Sequence, residues 1–118
     1  TRNHVNKDIL SRFEDFLTRY LSSGMTKEYG IASVSQCARE LNLSVNYFRD
    51  LVKKETGLAP LEIIQTKVID AAKSMIYGSR VPISDISYEL GFKYQQHFTR
   101  LFKQKIGVSP TAYRKLNQ

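Results

Sequence analysis

The sequence predicts an all-α fold of seven helices, arranged as two helix-turn-helix subdomains joined by a long linker helix. Three observations carry this prediction. Apolar residues recur at three- and four-residue spacing over most of the chain, while the alternation of strands is scarce. Glycine, proline and capping residues fall at helix-length intervals. Residues 34–60 also return as residues 83–110, with one residue added in the turn.

The first helix is read over residues 5–21, where Val5, Ile9, Phe13, Phe16, Leu17 and Tyr20 form one apolar face. After Gly24 and a Tyr29-Gly30 turn, Ser33-Val34-Ser35-Gln36 has the form of a capping box, so the second helix runs from there to about Leu41. Asn42-Leu43 makes a tight turn. Ser44 is an N-cap candidate for the third helix, which continues to Thr56 with Gly57 as its left-handed stop. Pro60 suits the first turn of the long fourth helix, with Leu61, Ile64, Val68, Ala72 and Met75 as its stripe and Gly78 at its end. Pro82 opens a short helix ending near Leu90, Gly91-Phe92 turns the chain, and Tyr94 to Ile106 forms the sixth helix, stopped by Gly107. Ser109-Pro110 caps a last helix through Lys115.

The repeat pairs Val34 with Ile83, Cys37 with Ile86, Glu40-Leu41 with Glu89-Leu90 and Leu43 with Phe92 at an offset of 49. The second turn is one residue longer. At an offset of 50, Phe48 pairs with Phe98, Leu51 with Leu101, Lys53 with Lys103, Gly57 with Gly107 and Pro60 with Pro110. In each copy the second helix splits into two faces. Phe48, Leu51 and Val52 turn inward in the first, leaving Asn46, Arg49, Asp50 and Lys53 outward; Phe98, Leu101 and Phe102 turn inward in the second, leaving Gln96, Thr99, Arg100 and Lys103, with Gln95 and His97 at the helix start. One polar row is ordinary solvated surface. Two equivalent rows, each behind a scaffold helix and a tight turn, have the side chains that major-groove reading requires.

Ile83-Ser84-Asp85-Ile86, Glu89-Leu90-Gly91-Phe92, His97 through Lys103, Gly107-Val108-Ser109-Pro110 and Tyr113-Arg114 together resemble the DNA-binding domain of the AraC/XylS transcription regulators over about residues 31–116. The resemblance implies that the linker helix sets two recognition helices into successive major-groove segments on one face of an asymmetric site. It carries base reading onto Asn46, Arg49 and Asp50, and onto Gln95, Gln96, His97, Thr99 and Arg100. Asp50 departs from the basic or neutral polar residue expected there. The resemblance also implies promoter activation through RNA polymerase.

Chemistry ranks these residues. Arg49 and Arg100 can each bridge guanine O6 and N7, and Asn or Gln can pair with adenine. Asp50 can accept from cytosine N4 or pair with Lys53 or Lys54 one turn on. His97 can reach a base or phosphate, or pack at the turn beside Phe98. Ser44, Lys53, Arg80, Lys93, Tyr94 and Lys103 are candidates for phosphate contacts that hold register without reading sequence, with plain surface as the alternative. Arg39 is phosphate-facing or solvated, and Cys37, opposite Ile86 in the repeat, belongs to the core.

Charge agrees with a polyanionic partner. Eighteen Lys and Arg against eleven Asp and Glu leave the 118-residue chain at +7. Residues 31–58 hold four basic and three acidic groups, +1, and residues 83–118 hold six and two, +4. One cysteine and two distant histidines, without a Gly-rich phosphate loop, exclude a nucleophile or metal constellation, so neither catalysis nor a cofactor is expected. No apolar run approaches a membrane span, and the single Cys37 fits a reducing, cytoplasmic setting. The rival reading is a helical protein-interaction module docking through residues 61–77 or the first helix; RNA is disfavoured because no aromatic stacking platform is present. The expected division is a first subdomain over 1–58, a linker helix over 59–78 and a second subdomain over 79–118. Thr1 opens the chain without an initiator Met, so a fragment is expected, with residues 1–30 leading from a missing sensor domain.

Overall fold

The computed structural model describes residues 2–118; Thr1, the start of the expected first subdomain, lies outside them. The described residues form eight helices and no strand: α1 (Arg2–Ser22), α2 (Met25–Tyr29), α3 (Val34–Glu40), α4 (Val45–Thr56), α5 (Pro60–Ile76), α6 (Ile83–Glu89), α7 (Gln95–Ile106) and α8 (Pro110–Leu116). The body measures 48 × 27 × 21 Å. No helix among the described residues is long and apolar enough to cross a membrane.

The eighth helix is α2, absent from the seven expected. Five residues are too few to show a helical period, and Gly24 and Gly30 on either side read as turn. Its support is tertiary. The Thr26 hydroxyl donates to the Glu89 carbonyl at 2.7 Å, and Lys27 pairs with the Glu89 carboxylate at 3.2 Å on the surface.

Two apolar cores lie along α5. Ile9, Phe13, Leu17, Tyr20, Cys37, Ala38, Phe48, Leu51, Val52 and Ile64 fill the first. Val68, Ile69, Ala72, Ile76, Ile86, Leu90, Phe92, Phe98 and Phe102 fill the second. Phe13 meets Phe48 edge to face at 5.0 Å, and Phe98 is ringed by Phe92 at 5.2 Å and Phe102 at 5.8 Å, geometries favoured by the aromatic quadrupole. Ile31 packs against both cores.

Two apolar assignments need correcting. Val5 is 55% exposed, and Asn6 takes the buried position instead, its Nδ2 donating to Glu55 at 2.9 Å. There α1 has passed the end of the core and meets the last turn of α4, where a polar partner is available. Leu61 is 51% exposed, because Pro60 already occupies the core-facing place at the start of α5 and the next residue points about 100° away. The buried stripe of α5 is Pro60, Ile64, Val68, Ile69, Ala72 and Ile76, with Met75 half-buried.

The repeat holds at the level of single hydrogen bonds. The Leu43 amide donates to Ala38 at 2.9 Å, and the Phe92 amide to Ser87 at 3.0 Å; Asn42 donates to Arg39 at 3.0 Å, and Gly91 to Tyr88 at 3.1 Å. Gly57 and Gly107 close their helices on Lys53 and Lys103, both at 2.8 Å. The capping box forms as expected, Gln36 N–H donating to Ser33 Oγ at 3.0 Å and Ser33 N–H to Gln36 Oε1 at 2.8 Å.

Asn42 and Gly91 occupy equivalent left-handed turn positions, with φ of 58° and 95°. Their surroundings differ. A Cβ on Gly91 would lie 2.7 Å from the Gly30 carbonyl carbon and 2.8 Å from both Ile31 N and Thr26 O, all backbone atoms. Gly107, at φ 97°, has nothing within 4 Å of the same position. Gly107→Ala is therefore expected to lower stability by about 1 kcal/mol through backbone strain alone. Gly91→Ala should lose at least ~1 kcal/mol more by overpacking. Urea unfolding followed by circular dichroism measures both, and equal losses would mean that the close approach relaxes freely.

Candidate nucleic-acid interface

Each recognition helix is pinned from behind. Phe48 and Val52 hold α4 and Phe98 and Phe102 hold α7 in the two cores, all four with no exposed surface. Because an amphipathic helix that buries one face must offer the other, the rows expected from the sequence are turned to solvent. On α4, Asn46, Arg49, Asp50 and Lys53 are all exposed. On α7, Gln96, His97, Arg100 and Lys103 are exposed, while Gln95 and Thr99 are half-buried.

The structure gathers the second row into one place. Gln95, Gln96, Thr99, Arg100 and Lys103 line an open depression of about 610 Å³, bounded by Tyr94 and Tyr88. Tyr88, 53% exposed on the scaffold helix α6, was not among the residues expected there. The repeat holds the signal for it, since Tyr88 accepts the Gly91 amide as Arg39 accepts that of Asn42, making Tyr88 the counterpart of Arg39.

The first row is flanked differently. Asp50 borders a small groove with Arg2, Asn6, Tyr47, Leu51 and Lys54. Its pairing with Lys53 or Lys54 is not among the ion pairs of the described residues. Lys53 turns instead to its own helix end, Nζ donating to the Gly57 carbonyl at 2.9 Å. There the ammonium also opposes the negative end of the α4 dipole.

The phosphate candidates divide by what already holds them. Ser44 is exposed, and its Oγ accepts the Tyr47 amide at 3.2 Å as the N-cap of α4. Tyr94, the N-cap of α7, makes no such side-chain cap; the His97 amide donates to the Tyr94 carbonyl at 3.2 Å, which leaves the amides of Gln95 and Gln96 for an external acceptor. His97 stacks edge-on against Tyr94 at 5.5 Å rather than against Phe98, and Lys93 Nζ lies 5.6 Å from the same ring. Arg80 lines a separate depression with Gly78, Ser79, Arg114 and Gln118.

The Cys37 thiol is fully buried, and burial, reinforced by the Glu40 charge, pushes it up to about 12. It is protonated at neutral pH and packs as an apolar group.

Residues 37–116 match the helix-turn-helix domain family. The arabinose operon regulatory protein of Escherichia coli (strain K12) is 30% identical over 97 residues, which are 81% of this chain and 32% of that protein. The chain thus spans roughly a third of the length of this and two other curated relatives it matches. Among solved structures, the C-terminal domain of AraT, a response regulator from Geobacillus stearothermophilus, is similar with a TM-score of 0.79 and 24% identity, covering 92% of this chain and 84% of that one. The DNA-binding domain of AdpA, a global transcriptional factor solved in complex with a target DNA, is similar with a TM-score of 0.67 and 23% identity, covering 81% and 90%.

The Ser44 cap gives a stability test separate from binding. Ser44→Ala is expected to lower stability by about 1 kcal/mol, and Ser44→Gly by only a few tenths, since glycine tolerates the cap position. Thermal unfolding measures the two, and a negligible loss in Ser44→Ala would show that this oxygen does not hold the helix.

Proposed function

The chain belongs to the AraC/XylS family of helix-turn-helix transcription regulators, and from that premise we propose that it reads double-stranded DNA in a sequence-specific manner, one recognition helix in each of two successive major-groove segments. The observation that carries this reading is the duplicated exposed row. Two helices held by matching turns present Asn46, Arg49 and Asp50 in one copy and Gln95, Gln96, His97, Thr99 and Arg100 in the other.

Base reading falls to side chains whose donors and acceptors match base edges. Arg49 and Arg100 take guanine, and the amides of Asn46, Gln95 and Gln96 take adenine. Asp50, without an ion-pair partner among the described residues, accepts from cytosine N4. Lys103, Lys93, Tyr94 and Ser44 contact phosphates around the rows, with the open first turn of α7 offering amides to the same anions. Lys53 and Arg80 contribute phosphate contacts at the margins, and Tyr88 joins the set as the wall of the second row.

The units that do this are residues 1–58, the linker 59–78 and residues 79–118. The chain acts by binding and not by catalysis, in the cytoplasm, as the DNA-reading part of a longer regulator. A sensor domain preceding residues 1–30 governs it, and RNA polymerase is the partner it positions. Selection of bound sites from random duplexes tests the whole reading: recovery of one asymmetric site occupied by a single chain supports it. A palindrome protected by two chains would contradict it, because symmetry in DNA mirrors symmetry in the protein.

Two further outcomes are expected on the selected site. Arg100→Ala should weaken binding by about 1–3 kcal/mol and relax preference at one base pair, whereas Lys103→Ala should weaken all sequences alike and reduce the log-log salt slope by about 1. Equal loss of base preference in both variants would contradict these roles. The second unit should also supply most of the non-specific affinity, as residues 83–118 carry +4 against +1 for residues 31–58. Replacing Lys93, Lys103 and Lys105 by Gln is expected to flatten the salt dependence far more than replacing Arg39, Lys53 and Lys54, and an equal or reversed change in slope would refute it.

A further inference from the structure

We infer that Thr26, with Gly30 and Gly91, closes a clasp that fixes the second helix-turn-helix against the first, making Thr26 a positioning residue that sets which half-site spacing the chain accepts. The inference rests on the two-helix reading of DNA proposed above.

The clasp is a chain of contacts that does not pass through α5. The Tyr20 hydroxyl, on α1, donates to the Gly30 carbonyl at 2.8 Å, and the Gly30 amide donates to the Thr26 carbonyl at 2.8 Å. Thr26 is only 2% exposed, and its hydroxyl reaches across 63 residues of sequence to the carbonyl of Glu89, the last residue of α6. Two residues later Gly91 lies so close to Gly30 and Ile31 that no side chain fits between them. Leu21, from the end of α1, packs on the second core.

The difference between the two copies points the same way. The turn of the first copy takes Asn42 in the left-handed conformation, so that conformation alone does not require glycine. In the second copy the same position faces backbone, and only glycine fits. The φ of 95° at Gly91 already disfavours a side chain, and docking adds a backbone contact that the first turn lacks.

Mechanically, a connecting helix by itself resists twist between the units only through the packing along its own line. A second attachment away from the axis removes the twist. On DNA the twist matters, because neighbouring half-sites one turn apart lie about 34–36 Å from each other, and each inserted base pair rotates one against the other by roughly 34–36°. Clasped readers reject such an insertion and hinged readers follow it.

The test uses the full 118-residue chain. Affinity is measured by fluorescence anisotropy for a selected duplex, for that duplex with one or two base pairs inserted between its halves, and for each half alone. The native chain is expected to discriminate against the insertions. Thr26→Val, which removes the hydroxyl donor at nearly constant shape, should reduce that discrimination by about fivefold or more with half-site affinities unchanged. Thr26→Ser should restore it. Gly91→Asn, which installs the residue that the first turn carries, should act like Thr26→Val and serves if that variant fails to fold.

A second readout is independent of DNA. Nitroxides on Lys54→Cys and Gln104→Cys, both exposed and near the ends of α4 and α7, report the distance between the units, while the buried Cys37 stays unlabelled. The distribution should be narrow in the native clasp and broader in Thr26→Val and Gly91→Asn. Unchanged spacing ratios and widths in both variants would overturn the clasp. If the native chain bound no duplex, the DNA reading would fail while the distance distributions still decided the clasp.

Discussion

Both cores are built on one helix, and the geometry of that helix constrains everything else. The buried residues of α5 are Pro60, Ile64, Val68, Ile69, Ala72 and Ile76, which advance mostly in steps of four. Since a turn takes 3.6 residues, each step of four rotates the apolar stripe by about 40°, and from Pro60 to Ile76 it winds by roughly 160°. Ile64 therefore belongs to the first core and Val68 through Ile76 to the second, on different sides of one rod. The phase of the stripe sets the side of the rod on which each unit sits, and the contact of Thr26 with Glu89 then acts on the twist between them.

Around that rod the two copies share a backbone and differ in what surrounds it. The matching hydrogen bonds at Ala38 and Ser87, and at Lys53 and Lys103, show one local structure used twice. Ser44 closes the start of α4 with a side-chain cap, while the start of α7 is left uncapped beneath Tyr94. The first unit is nearly neutral and the second strongly basic. Local structure thus repeats where packing dictates it and diverges where the surface meets something else.

Much of this was legible in the sequence, for a physical reason. Buried positions must recur at the helical period, and a repeat must bury the same positions twice, so the pairs Cys37 with Ile86 and Phe48 with Phe98 expose the architecture directly. All four side chains are fully buried. The exposed rows follow by subtraction. What stayed hidden depends on contacts distant in sequence. Helix α2 has no period to detect and is held by Glu89, 63 residues away from Thr26. Val5 and Leu61 fit their apolar patterns but fall where the core has ended or another residue already fills the place. Tyr88 carries no helical signal of its own as a surface residue, and only the repeat, which aligns it with Arg39, points to it.

The smallness of the second unit explains why orientation and stability are joined. On the proposed division this unit, residues 79–118, has about forty residues, near the limit below which a hydrophobic core rarely sustains a fold without help. Their core is completed by Val68, Ile69, Ala72 and Ile76 from α5, with Leu21 and Ile31 from the segment before the first helix-turn-helix packed against it. A unit that borrows its core from its neighbours cannot pivot freely without exposing part of that core. Each apolar group withdrawn from water would return to it at a cost of about 25 cal/mol per Å². The burial that folds the second unit thus also restrains its pivoting, and the contact of Thr26 with Glu89 adds a second restraint away from α5.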